Sequence, residues 1–151
     1  MPIAAGNIIY ASDLLMTTWQ NADTTARTTT STSFTTTLSP ANICGVAFVA
    51  PPSGKVVIAW GCGVQNSSSP QLSVCSFAIR AGSTVGSGTS FQASDDGRAV
   101  TSLAFINAGQ TSEVTGLTPG STYNVALEHR VASSGTGTFS NRTVTVTSQL
   151  A

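Results

Sequence analysis

Val56, Ile58, Trp60, Cys62 and Val64 occupy every second position of one segment, alternating with Val57, Ala59, Gly61 and Gly63. A repeat of two places successive side chains on opposite faces of a strand, whereas a helix would scatter these bulky residues around its axis. One face is therefore bulky, and the other, after Val57, carries only small residues that let a second sheet approach closely. Pro51-Pro52-Ser53-Gly54 just upstream is a strong turn signal, and Val46 and Phe48 alternate before it.

Strand-sized segments separated by turn residues continue from Ile43 to the end of the chain. Residues 72–80, 100–106, 111–114, 123–131 and 138–146 read as strands, with 133–137 closing a hairpin between the last two. Residues 82–97 are rich in glycine and serine and read as loop with a short strand near Phe91. About eight strands result, which predicts an all-β fold, a jelly-roll-like antiparallel β-sandwich.

Residues 1–40 are set apart as an N-terminal arm and extended segment, and 41–151 as the β-sandwich domain. Ser12 offers an N-cap hydroxyl to the segment 13–20, and Asp13 suits the positive end of a helix dipole. A one- or two-turn helix is expected there. Leu15 and Trp19 share one of its faces, and so short a helix must dock on something, either its own domain or a neighbouring subunit. Ile8, Ile9, Tyr10, Leu14, Leu15 and Trp19 are the candidate partner-binding residues of the arm. The threonine-rich run 24–37 disfavours helix and suits an extended strand with polar faces.

Six basic and six acidic side chains cancel to a formal net charge of zero. That composition lacks the electrostatic footprint of a nucleic-acid or anionic-membrane partner, and low self-repulsion favours packing against copies of the same chain. Residues 1–6 lack the basic and apolar regions of a secretory signal, and no apolar run reaches membrane-spanning length. Synthesis in a cytoplasm is the expectation. The three cysteines, Cys44, Cys62 and Cys75, lie within apolar strand patterns and read as small buried hydrophobes, with a Cys62–Cys75 bridge left open.

His129 is the sole histidine, and no Gly-x-Ser-x-Gly elbow accompanies it. By alternation it aligns with Tyr123, Val125, Leu127 and Val131, which predicts a hydrogen-bonded ring on a buried sheet face or at a subunit seam. At a seam, its protonation at about pH 6 would loosen an assembly. Asp95-Asp96-Gly97-Arg98 lacks the spaced ligands of a calcium loop and reads as a solvated turn. Nothing pairs Glu113 with Glu128 as glycosidase carboxylates. The absence of a Cys-x-x-Cys pair argues against zinc, and the glycine-rich stretch 82–88 lacks the lysine of a phosphate loop. Neither enzymatic activity nor a cofactor or metal is expected.

Leu117-Thr118-Pro119-Gly120-Ser121-Thr122-Tyr123 resembles the tyrosine corner of fibronectin type III domains. More of the chain, in 48–56, 127–131 and 137–142, resembles small β-rich virion surface proteins of tailed phages that infect actinobacteria, and 5–14 resembles the openings of phage tail and surface proteins. That resemblance implies an N-terminal anchor and a trimer-forming jelly roll exposed on the particle. The expected function is that of a capsid decoration protein, bound as a homotrimer to the major capsid protein of a virion assembled in the host cytoplasm. The alternative is a minor tail or receptor-binding tip protein that uses the loops 67–70 and 82–97 to contact host-surface glycans.

Overall fold

A computed structural model describes residues 16–150. Ten strands make up the described fold: β1 (Thr18–Asp23), β2 (Arg27–Thr29), β3 (Gly45–Val49), β4 (Val56–Asn66), β5 (Ser73–Ala81), β6 (Thr89–Gln92), β7 (Val100–Ser102), β8 (Ile106–Val114), β9 (Thr122–Val131) and β10 (Gly137–Ser148). They form two antiparallel sheets packed face to face, a jelly-roll-like β-sandwich. Sheet A runs β1-β10-β4-β8 with β2 also on β10, and sheet B runs β3-β9-β5-β6 with β7 also on β5.

The alternation that marks β4 fixes which way sheet A faces. Val56, Ile58, Trp60, Cys62 and Val64 are all buried against sheet B, where Phe77, Ile79, Val125 and Leu127 meet them. At roughly 1.5–3 kcal/mol for each large apolar side chain removed from water, this layer supplies much of the drive for folding. The turn before β4 closes through the Gly54 N–H donating to the Pro51 carbonyl at 2.8 Å. Gly54 has φ +65°, and a Cβ there would lie 2.6 Å from the Leu117 carbonyl oxygen, so only glycine fits without a shift. Before β9, the Thr118 N–H donates to the Tyr123 hydroxyl at 3.1 Å. The tyrosine corner is therefore present as a hydrogen bond.

Of the helix expected at 13–20, residues 13–15 lie outside the described residues, and the remainder departs from expectation. Thr18–Gln20, the far end of the expected helix, opens β1, which pairs with β10 in continuous register from Thr18↔Thr147 to Asp23↔Arg142. A ladder to β10 satisfies this backbone, and the β-branched Thr17 and Thr18 favour the extended form over a helix too short to stand alone. Among the described residues the single helical turn is a 3-10 turn at Asp96–Arg98. The threonine-rich run forms only the short β2 and isolated bridges at Thr28↔Ser39 and Thr35↔His129. The segment 16–40 thus adds two strands to the sandwich. Among the described residues no helix is long and apolar enough to cross a membrane.

Candidate functional site

The two outer faces of the sandwich are built differently. On sheet B the outward residues Ser76, Ala78, Asn124, Ala126 and Glu128 are nonetheless buried, because the chain folds its own loop across them. Asn124 Nδ2 donates to the carbonyls of Gly82 and Ser87 at 3.0 Å, and its Oδ1 accepts from the Gly86 N–H at 2.9 Å. Ser94 donates to Glu128 at 2.6 Å, and Arg80 pairs with the same carboxylate. Farther along, Asp96 accepts from Arg130 at 2.8 Å, while Asp95 caps the 3-10 turn by accepting from the Arg98 N–H. The loop 82–97 is therefore tied down over sheet B.

Sheet A turns its small-residue face to solvent. Ala59, Thr111 and Thr143 are exposed there, with Gly61 and Thr145 partly so. Together with Gly109 they line a shallow depression of about 360 Å³. Glu113, on the same outward phase of β8 as Thr111, is its one charged group among the paired strands. The close approach predicted for this face is not used by the chain's own second sheet, which packs on the bulky side. Glu113 and Glu128 thus lie on opposite outer faces, too far apart in the fold to act as a pair.

Of the arm residues, Ile8, Ile9, Tyr10, Leu14 and Leu15 lie outside the described residues. Trp19 docks on its own domain. Its ring sits 6.0 Å from that of Phe48, half-buried at the margin of the core, because β1 directs alternate side chains inward beside Val146. Trp19 is thus anchored in its own domain, with part of its ring left exposed.

His129 is not at a subunit seam. It is wholly buried between the two sheets, its ring 4.6 Å from that of Phe139. Burial, then the Arg142 charge, pushes its pKa down to about 3, against a smaller opposing pull from the Thr35 backbone. The ring is neutral at physiological pH, so the pH-sensitive seam does not arise from it. Nor is it hydrogen-bonded as expected: neither ring nitrogen meets hydrogen-bond geometry with any described group.

What surrounds His129 was only half visible in the sequence. Cys75 stands directly opposite it on the neighbouring strand, and Cys62 reaches in from the facing sheet. The two sulfurs and the imidazole nitrogen all lie within 4.8 Å of one another, and all three residues are buried. The thiols are free. Burial first, then Cys62 beside it, drives the Cys75 thiol well above its usual range. Cys44, also buried, is pushed up to about 11, again chiefly by burial. The signal that these residues meet was their phase, since each falls on the inward side of its own strand.

A second buried polar group joins β1, β2 and β10. Asp23 accepts from Arg27 Nε at 2.6 Å and pairs as well with Arg142, whose side chain is fully enclosed. Arg27 also donates to the Pro40 carbonyl at 2.6 Å. One carboxylate thus serves two guanidiniums.

No family model matches the chain, and no curated protein matches it.

Proposed function

We propose that this protein is a structural component of a phage virion, a capsid decoration protein that binds the outside of the shell as a homotrimer. The observation that carries the reading is the asymmetry of the two outer faces. One is sealed by the chain's own loop, while the other is an open, almost uncharged sheet surface rich in Ala, Gly and Thr. Small side chains lose little conformational entropy on being covered, and the lack of charge spares a partner the cost of desolvating ions. Such a face suits packing against sister copies. β1, the first strand of the described fold, is an edge strand of that same sheet.

The tip-protein alternative gains nothing specific. The loop 82–97 that would contact glycans is pinned across sheet B by Asn124 and Glu128. Its one aromatic ring, Phe91, is 5.5 Å from Tyr123 in an edge-on contact. Cryo-electron microscopy of the assembled particle tests the reading: density for this chain on the capsid exterior in threefold groups supports it, and density confined to the tail rejects it.

A further inference from the structure

We propose that Cys62, Cys75 and His129 form an interior binding site for a soft, thiophilic d10 metal ion, with copper(I) a better match than zinc(II). The ligand atoms come from three strands on both sheets, so the backbone ladders set their positions. Metal–ligand bonds of about 2.0–2.3 Å need donor atoms gathered around one point. Two sulfurs and a nitrogen within 4.8 Å of one another meet that need with small side-chain rotations.

The site also accounts for a feature that packing alone leaves costly. An imidazole between two sheets, with both ring nitrogens orphaned, forfeits its hydration, whereas a leucine would fill the space without that loss. A metal bond satisfies one of these two nitrogens.

Charge and ligand number together favour copper(I). Thiolates select copper(I) and zinc, and a structural zinc site wants four protein ligands. Among the described residues only these three side chains gather here, and three-coordinate geometry suits copper(I). Two thiolates around a monovalent ion leave one negative charge. The neighbouring group of Asp23, Arg27 and Arg142 carries one positive charge in excess, and the field of Arg142 reaches both Cys75 and His129. Loading exchanges two thiol protons for the ion, with no change of oxidation state. Because the ligands are wholly buried, the ion is taken up as the chain folds and ties β4, β5 and β9 together.

The test uses the full chain, unfolded and refolded without oxygen in the presence of copper(I) or zinc(II), with bound metal measured by mass spectrometry and stability by thermal melting. One equivalent of copper(I), a raised melting temperature, and retention against a zinc excess are expected. Cys75→Ala and His129→Leu should fold and lose the copper, while Cys44→Ala, outside the cluster, should keep it. The proposal is overturned if folded wild-type protein takes up no metal, if the Cys75→Ala variant binds as well, or if Cys62 and Cys75 instead join as a disulfide that excludes the ion. Preferential zinc uptake overturns the choice of copper.

Discussion

Arg142 and Asp23 face each other across the β1–β10 ladder and form an ion pair whose guanidinium is completely enclosed. A local irregularity makes the meeting possible. Phe139 and Val144 both point into the core although they are five positions apart, an odd step that regular alternation would send to opposite faces, so β10 must change phase between them. It does so at a bulge between Ser140 and Thr143, where Asn141 adopts φ +47°. The extra residue turns Arg142 inward, where Asp23 and the Asn42 carbonyl receive it.

Replacing Asp23 with asparagine should be among the most damaging single changes outside the apolar core. It leaves Arg27 and Arg142 buried without their counter-charge, and removing one partner of a buried ion pair costs about 3–5 kcal/mol. Urea denaturation of Asp23→Asn should show a midpoint lowered accordingly. A midpoint within experimental error of wild type would mean the cluster contributes nothing to stability.

The same carboxylate should make the fold acid-sensitive. The hydrogen bond from Arg27 is the largest influence holding Asp23 well below the usual carboxylate range, with Thr25 and Arg142 adding to it and burial opposing. Its folded pKa is depressed, so between the folded value and the unfolded value of about 4 the unfolded chain binds a proton that the native state does not. The stabilisation is fully present above about pH 4 and is lost as pH falls below it. Melting temperatures measured from neutral pH downward should drop steeply in that acid range for wild type. In Asp23→Asn this part of the slope should flatten.

How far the sequence reveals this fold depends on whether neighbouring residues or distant ones decide each element. The alternation in β4 and β9 was legible because each strand has one apolar face, and period alone names it. Tyr123 was legible because its corner is a local motif. The strand at Thr18 was not, since its helix-like cap at Ser12 is local while its partner, β10, lies more than a hundred residues away. Arg142 was hidden for a similar reason: its inward direction depends on a bulge that shows only as the phase conflict between Phe139 and Val144. At the Cys62, Cys75 and His129 cluster each inward phase could be read singly. Their convergence needed the pairing of β5 with β9 and the packing of one sheet on the other.

Tyr123→Phe isolates the corner. The ring remains packed on Phe48 and Phe91, and only the bond from the Thr118 N–H is lost. A single neutral hydrogen bond of this kind contributes about 1 kcal/mol. The unfolding free energy should fall by that amount, seen as a lowered denaturant midpoint with the slope unchanged, since the surface exposed on unfolding stays the same. An unaltered midpoint would assign the tyrosine's role to its ring alone.

Ala59→Glu tests the exposed face of sheet A. Ala59 is solvent-exposed at the rim of the depression between Gly61, Thr111 and Thr145, so a glutamate there has room and water around it in the isolated chain. Its effect on the stability of a monomer should stay within about 0.5 kcal/mol, as for other surface substitutions. In a trimer that packs on this face, three carboxylates would be drawn from water into a seam with no basic partner nearby. Wild-type protein should therefore sediment as a trimer and Ala59→Glu as a folded monomer, with circular dichroism unchanged. A variant that remains trimeric would move the interface away from the Ala, Gly and Thr surface and remove the observation on which the decoration reading rests.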